Sequence, residues 1–185
     1  MTARKPLLEA LVAMLGPDDV LVSCLGANSR YLPHLAVTAP VFALCDSMGA
    51  AIPLALGMAL QRPDRHVVAL EGDGSLLMCP NVLATVATVH LSNLTALLWV
   101  NGHYESSGGQ ALPSAPVDWA SLARGFGIAN VERVGDAPAL RAAFPRARAA
   151  EGPALLVVDV AFDPHEPIPP YSERPDEIRA RFRIS

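Results

Sequence analysis

The stretch HVVALEGDGSLL, residues 66–77, places a short acidic turn directly after an apolar run. The run His66–Leu70 has the length and β-branched content of a buried strand. It is followed by Glu71-Gly72-Asp73-Gly74-Ser75 and then by apolar residues again. Glycines on both sides of Asp73 let the backbone approach a phosphate closely, and the carboxylate suits a hard cation. Alone, the pattern also fits a turn whose aspartate caps the next helix.

A second polar element follows the next predicted strand. The apolar run Leu94–Val100 leads into Asn101, and 26 residues separate Gly74 from Asn101. That length accommodates one helix and one strand, so Asp73 and Asn101 are predicted to end neighbouring strands of one sheet. Their side-chain oxygens would then face one crevice. Mg²⁺ favours such a partial oxygen shell, which phosphates and water complete.

Strand and helix patterns alternate along the whole chain. Apolar runs without strict alternation predict strands covered on both faces, at Val20–Leu25, Val41–Cys45, His66–Leu70, Leu94–Val100, Val131–Val134 and Ala154–Val160. Helical patterns lie between them, at Asn28–Leu35, Met48–Leu60, Asn81–His90, Trp119–Phe126 and Pro138–Ala150, with Ser47, Asp118 and Asp136 as caps. This order predicts an α/β fold: a single three-layer α/β/α domain around a mostly parallel sheet of roughly six strands. Ligands in such folds bind beyond the carboxyl ends of strands.

Composition excludes several classes of protein. With 51% hydrophobic and 17% charged residues in 185, the chain can bury a core and is not disordered. A net charge of −4 without any basic block excludes nucleic acid as a partner. The longest apolar stretch, Met48–Leu60, is too short to cross a membrane. Cys24, Cys45 and Cys79 form no C-x-x-C pair, which argues against a disulfide framework or zinc cluster and predicts a cytoplasmic protein.

The two ends of the chain have different patterns. Residues 1–15, MTARKPLLEALVAML, predict an amphipathic first helix, because Glu9 interrupts the apolar run and no cleavage site follows. We expect the domain to extend over residues 1–162. Residues 163–185 are rich in proline and predict an arm without regular structure until a short basic segment at its end. The arm is expected to pack on a neighbouring molecule, with a frayed terminus as the alternative.

The motif Gly72-Asp73-Gly74-Ser75, followed after 26 residues by Asn101, resembles the cofactor motif of thiamine diphosphate enzymes. Two further stretches, Cys45-Asp46-Ser47-Met48-Gly49 and Asn101–Gln110, resemble those of sulfopyruvate and phosphonopyruvate decarboxylases. The resemblance covers about residues 20–160. It implies the thiamine diphosphate-binding fold, with thiamine diphosphate and Mg²⁺ as cofactors.

The resemblance also implies roles for individual residues. Mg²⁺ ligands would be the side chains of Asp73 and Asn101 and the backbone carbonyl of His103. Diphosphate would be held by N–H groups of Gly74, Ser75, Glu105 and Ser106 and by the Ser75 hydroxyl. Met48 would support the bent shape of the cofactor. The implied cofactor-binding set comprises Asn28, Ser47, Met48, Gly72, Asp73, Gly74, Ser75, Asn101, His103, Glu105 and Ser106.

Some of these assignments have alternatives. Asn28 stands where relatives more often have Thr, and it could contact phosphate or cap a helix. Asp46 stands where the family often has Gly, and Val100 where many members have a second Asn. Arg30 and Gln110 are candidates for contacts to an anionic substrate tail, and a surface salt bridge is the alternative for Arg30.

Family enzymes activate the cofactor with a glutamate on a separate pyrimidine-binding domain. Glu71 and Glu105 belong to the diphosphate side, so no catalytic residue is expected in this chain. The resemblance therefore implies a β-type subunit of a split 2-oxoacid decarboxylase, inactive alone and completed by a pyrimidine-binding α-type subunit. Sulfopyruvate or phosphonopyruvate is favoured over pyruvate as the small 2-oxoacid substrate. A homo-oligomer is also expected, because the carboxyl edge of the sheet would be unusually apolar for a monomer.

Two other functions remain alternatives at this point. The same cofactor could serve an acetolactate synthase-like carboligase subunit, in which a second 2-oxoacid replaces the proton as acceptor. A non-catalytic thiamine diphosphate-binding module, or an unrelated nucleotide-binding protein, is the other alternative. A Rossmann interpretation requires G-x-G-x-x-G after the first strand, and Leu25-Gly26-Ala27-Asn28-Ser29 does not provide it.

Overall fold

Six parallel strands form the central sheet of the computed structural model, which describes residues 2–113 and 117–183. The strands are β1 (Asp19–Ser23), β2 (Val41–Ala43), β3 (His66–Gly72), β4 (Leu94–Val100), β7 (Asn130–Val134) and β8 (Ala154–Asp159), in the order β2-β1-β3-β4-β8-β7. The short strands β5 (His103–Tyr104) and β6 (Gln110–Ala111) form a separate antiparallel hairpin. The helices are α1 (Arg4–Val12), α2 (Ala27–Tyr31), α3 (Ala51–Gln61), α4 (Asp73–Leu76), α5 (Val82–Val89), α6 (Trp119–Gly125), α7 (Ala137–Arg148) and α8 (Pro175–Arg181).

Helices cover both faces of the sheet and enclose two apolar cores. Helices α1 and α7 pack on one face, where Leu97 of β4 lies with Phe144. Helices α3, α5 and α6 cover the other face, where Leu98 lies with Ile52 and Leu83. Adjacent residues of β4 thus enter opposite cores, as a strand covered on both sides requires. The predicted three-layer α/β/α fold is confirmed.

Residues 2–113 and 117–183 contain no helix with the length and apolar character that crossing a bilayer requires.

Several helix boundaries follow the predicted caps, but the start of α3 does not. Asp118 accepts a hydrogen bond from the Ser121 N–H at 3.0 Å, and Asp136 accepts one from the Ala139 N–H at 2.8 Å, so both predicted caps are confirmed. Helix α3 was predicted to begin at Met48 behind a Ser47 cap, and this prediction is wrong. Gly49 has a φ of +73°, which no helix contains, so α3 begins only at Ala51.

The segment after β1 is also broken differently from the prediction. The pattern Asn28–Leu35 predicted one helix, whereas α2 ends at Tyr31 and a 3₁₀ turn, Leu32–His34, follows. Pro33 lies in that turn and has no N–H to continue the α-helical hydrogen bonding. The consequence is a short α2 whose first turn lies beside the end of β1.

The C-terminal arm packs on its own chain, and the expectation that it also reaches a neighbouring molecule stays a prediction. Helix α8 lies against the edge strand β2, and the rings of Phe42 and Phe182 meet edge to face with centroids 5.1 Å apart. Ile178 of α8 is buried. Burial of these apolar side chains against an otherwise open sheet edge provides the driving force for this docking.

A buried histidine at the amino end of the sheet makes stability depend on pH. His66 lies 3.0 Å from the Thr95 hydroxyl, and burial, with the nearby charge of Arg148, lowers the pKa of its imidazole to about 4. An unfolded histidine binds its proton near pH 6.5, so the unfolded state gains protons first as the pH falls. We expect this group to remove about 2 kcal/mol of unfolding free energy between pH 7 and pH 5. Urea unfolding across that range measures it, and a His66→Gln chain with an unchanged pH dependence would contradict it.

Candidate functional site

A cavity of about 250 Å³ opens at the carboxyl ends of β1, β3 and β4. The chain leaves β1 towards β2 and leaves β3 in the opposite direction towards β4, so the strand order reverses between β1 and β3. Ligands of open α/β sheets bind at such a switch point. Ten of the eleven predicted cofactor-binding residues line the cavity: Asn28, Met48, Gly72, Asp73, Gly74, Ser75, Asn101, His103, Glu105 and Ser106.

The two predicted metal-binding side chains follow neighbouring strands, and a hydrogen bond connects the two strand ends. Asp73 is 2% exposed, and its two carboxylate oxygens accept the N–H groups of Gly74 at 2.8 Å and Gly102 at 2.7 Å. The Asn101 side-chain oxygen accepts the N–H of His103 at 2.9 Å. Burial raises the pKa of the Asp73 carboxyl, while these backbone hydrogen bonds oppose the rise. Asp73 and Asn101 are therefore held in fixed orientations at neighbouring strand ends.

The donor chemistry of this turn fits Mg²⁺. A carboxylate oxygen and an amide oxygen each keep a lone pair after accepting one hydrogen bond, and hard cations prefer such oxygen ligands. Across the described ranges, no three His, Cys, Asp or Glu side chains gather as they would around a transition metal. The donors present thus suit a hard cation that also takes oxygens from a ligand.

Glycine at position 74 keeps the turn close to the hairpin. A Cβ at Gly74 would lie 2.7 Å from the Tyr104 ring, which is too close for any side chain without displacing that ring. The backbone of the turn can therefore lie directly under the cavity. Such glycine-lined backbone is what a phosphate-bearing ligand requires for close approach.

Ser75 and Glu71 connect the turn to the start of α3. The Gly49 N–H donates to the Ser75 hydroxyl at 2.7 Å, and the Ala51 N–H donates to the Glu71 carboxylate at 3.1 Å. Burial raises the pKa of Glu71, and hydrogen bonds from the Ser75 side chain and the Gly72 N–H counter that effect. The Ser75 hydroxyl, predicted to bind diphosphate, is thus engaged within the protein. Glu71 accepts a hydrogen bond from a backbone N–H in the first turn of α3, the role that was predicted for Ser47.

Met48 and Ser47 lie apart although they are adjacent in sequence. Met48 lines the cavity and is 38% exposed, with an apolar side chain available to a ligand or to a second protein. Ser47 does not line it, and its hydroxyl donates to Asp46 at 3.2 Å. A cofactor contact by the Ser47 side chain has no support in this geometry, and the cofactor contact of Met48 stays a prediction.

Arg4 is a cavity residue that the sequence did not reveal. It is 3% exposed, and its guanidinium donates to both oxygens of Glu105, at 2.5 and 2.6 Å. It also donates to Asn28 at 2.8 Å and to Glu166 of the arm at 3.2 Å. These partners are 24 to 162 residues away in sequence, so no local pattern could have indicated them. Burial raises the pKa of Glu105, and the charge of Arg4 lowers it.

Asn28 and Arg30 have different partners from those predicted. Asn28 neither caps α2, whose N-cap is Gly26, nor stands free, because it accepts from Arg4. Arg30 does not line the cavity; it donates to the backbone carbonyls of Ile168 and Pro169. The arm, rather than a substrate or a surface carboxylate, is therefore the partner of Arg30. Gln110 is exposed and donates to the Ser107 hydroxyl at 3.2 Å.

The His103 ring is fixed from two sides. Its Nδ1 lies 2.8 Å from the Asn101 carbonyl oxygen, so that nitrogen carries the donated proton. The ring also stacks on Phe162, with centroids 3.7 Å apart and planes 8° from parallel. The ring thereby braces the turn that carries Asn101, and the predicted metal contact through the backbone carbonyl does not need it.

Comparisons with known proteins bear on the fold and on the cofactor-binding domain. Residues 28–158 match the family model described as thiamine pyrophosphate enzyme, C-terminal TPP binding domain. A solved structure from Mycobacterium smegmatis, described as a thiamin diphosphate-dependent enzyme, superimposes with a TM-score of 0.73 at 28% identity, covering 88% of this chain and 32% of that one. The fold and the membership in a TPP-binding domain family are thus supported by similarity over most of the chain.

Two curated relatives are named as decarboxylases. Phosphonopyruvate decarboxylase from Streptomyces hygroscopicus is 37% identical over 97% of this chain and 45% of its own length. Sulfopyruvate decarboxylase subunit beta from Methanothermobacter thermautotrophicus is 35% identical over 86% of this chain and 83% of its own. This chain spans less than half of the Streptomyces relative. It belongs to the thiamine pyrophosphate enzymes, as a member of their C-terminal TPP-binding domain family.

Proposed function

We propose that this chain is the diphosphate- and Mg²⁺-binding subunit of a thiamine diphosphate-dependent 2-oxoacid decarboxylase. The main support for the proposal is that Asp73 and Asn101 lie at neighbouring strand ends and line one cavity. The relatives named as decarboxylases support the reaction class. When bound, thiamine diphosphate supplies the carbanion chemistry that lets a 2-oxoacid lose CO₂.

The residues of this chain would bind and orient that cofactor. Asp73 and Asn101 would hold Mg²⁺ with the His103 carbonyl, and the metal would hold the diphosphate. Backbone around Gly74 and the turn Glu105–Ser107 would donate to the phosphate oxygens. Met48 would support the bent cofactor from the opposite wall. The family resemblance gives proton exchange with the pyrimidine to a glutamate of a separate domain, so the proposal assigns that role to a partner.

A partner subunit is supported by the size of the cavity and by the neighbouring surface. The cavity, about 250 Å³, is smaller than the roughly 300–1,000 Å³ of a complete small-molecule site. Helices α3 and α5 contact each other, and neither contains a charged residue. Gly57 and Leu60 of α3 are exposed, as are Ala84 and Thr85 of α5. An uncharged face of this kind beside an incomplete cavity suits a pyrimidine-binding subunit, and it would also bring copies of this chain together.

The substrate we favour is a 2-oxoacid with an anionic tail. The two relatives act, by name, on phosphonopyruvate and sulfopyruvate, whose tails are a phosphonate and a sulfonate. Arg30, the sequence candidate for such a tail, is held by the arm. The tail would therefore be recognised mainly by cationic groups of the partner subunit.

A charge on the α3 and α5 face tests the assembly. We expect Ala84→Arg to weaken binding to a pyrimidine-binding subunit at least tenfold, because an arginine would be buried without a partner. Ala142→Arg is the matched control, since Ala142 is exposed on α7, on the opposite side of the sheet. Sedimentation of the mixed subunits measures both. Equal affinity of the two variants would exclude this face as the contact surface.

A further inference from the structure

Arg4 brings together four segments of the chain at the wall of the cavity. The guanidinium of this first residue of α1 contacts Glu105 after β5, Asn28 in α2 and Glu166 in the arm. All three of its nitrogens donate, each to a different segment. Arginine suits this position because its planar fork presents several donors in fixed directions, which lysine lacks.

The contact with Glu105 determines where the next turn can lie. Glu105 opens the 3₁₀ turn Glu105–Ser107, and that turn lines the cavity. Its other side meets the loop after β1, where a Cβ at Gly26 would lie 2.3 Å from the Ser106 hydroxyl oxygen. The turn is thus held between Arg4 and the Gly26 backbone. A shift of the Glu105 side chain would move the N–H groups on which diphosphate binding depends.

The arm contacts Arg4 and the neighbouring helix α2 from the outer side. Beyond the Glu166 contact with Arg4, the Tyr31 hydroxyl donates to the Pro167 carbonyl at 3.3 Å. The Gly26 N–H donates to the Tyr171 hydroxyl at 3.2 Å. Residues 166–171 therefore lie across α2 and contact Arg4 on the side of the arm.

We propose that Arg4 is a positioning residue, which orients the Glu105–Ser107 turn for the diphosphate and is itself held in place by Glu166 of the arm. This inference rests on the proposed function for the identity of the ligand. The effect on the turn itself does not depend on it. A buried cation that faces two carboxylates could alternatively serve only to neutralise them, and the test separates these roles.

Amide hydrogen exchange of the ligand-free chain tests the positioning directly. We expect Arg4→Met to accelerate exchange of the amides in residues 103–109 at least tenfold, with a smaller increase in Arg4→Lys and Glu166→Gln. Arg146→Met is the control, because Arg146 forms an exposed ion pair with Glu132. If Arg4→Met does not fold, the other two variants decide. Unchanged exchange in residues 103–109 of folded variants would overturn the proposal.

Cofactor binding provides the second measurement. Calorimetry with thiamine diphosphate and Mg²⁺ should show a Kd about 10–100-fold weaker for Arg4→Met than for the natural chain, as is typical when a supporting contact of a ligand site is removed. In the triple variant Arg4→Met, Glu105→Gln, Glu166→Gln, thermal stability should recover because neither of the two carboxylates that faced Arg4 remains charged, while the Kd stays weak. If thermal stability and cofactor affinity both recovered, Arg4 would serve only to neutralise the carboxylates, and the positioning role would be refuted. No binding by the natural chain with its partner present would instead refute the proposed function, and the exchange result would still decide the role of Arg4 in the turn.

Discussion

The purified chain, supplied with Mg²⁺ and thiamine diphosphate, is expected to release no measurable CO₂ from sulfopyruvate, phosphonopyruvate or pyruvate. Activity should appear when the pyrimidine-binding subunit is added. Proximity and orientation supply about 7–11 kcal/mol in well-organised reactions, and a cofactor held only through its diphosphate has lost most of that contribution. Since about 1.4 kcal/mol corresponds to a tenfold change in rate, the expected difference is several orders of magnitude.

A coupled assay for CO₂ and chromatography of the products measure this result. The control is the same mixture with the partner's pyrimidine-contacting glutamate changed to glutamine, which should be as inactive as the chain alone. Turnover near one per second by the isolated chain would refute the need for a partner. An aldehyde as the product indicates decarboxylation, whereas a longer 2-hydroxy-2-acyl acid would indicate a carboligase.

Asp73→Asn should abolish Mg²⁺-dependent binding of thiamine diphosphate. The substitution keeps the size of the side chain and removes the charge of the one carboxylate in the proposed metal shell, so we expect affinity to fall at least about 100-fold. The natural chain alone should bind the cofactor weakly and only with a divalent metal. Calorimetry with and without a chelator measures both statements.

The matched control is Asp118→Asn on the surface of α6. It makes the same change in charge, and asparagine caps a helix as well as aspartate does, so binding should be unaffected. Circular dichroism establishes that both variants are folded. Full affinity in Asp73→Asn, or tight binding by the natural chain in excess chelator, would exclude Asp73 as the metal ligand.

Local patterns were sufficient to predict the sheet and the centre of the site. Asp73 and Asn101 follow two buried strands, and parallel pairing of β3 with β4 brings them to one edge, as their spacing predicted. The starts of α6 and α7 were equally predictable because a single aspartate caps each. These features depend on residues within a few positions of one another or on one strand crossover.

Features that depend on distant contacts could not be predicted in this way. Helix α3 begins late because Glu71 of β3 reaches its first turn, a contact that Ser47 did not indicate. In the sequence Arg4 is an ordinary charged residue near the start of a helix. Its role is visible only in the folded chain, where it pairs with Glu105 and with Glu166 of the arm. The arm was expected on a neighbour because its prolines exclude a sheet or a long helix, yet its side chains and carbonyls find partners on α2 and β2.

The order of strands in the sheet has a consequence for how the chain folds. The entropy lost on closing a loop rises with the number of residues enclosed. Pairing Val67 with Leu94 joins β3 to β4 across a short loop, whereas pairing Thr95 with Ala154 joins β4 to β8 across a much longer one. Strands β1 to β4, which carry the polar turns, can therefore pair within residues 19–100, and the β7–β8 pair completes the sheet afterwards. Slow folding of this chain is expected to originate in that last closure, which also brings Val160 and the arm to the cavity.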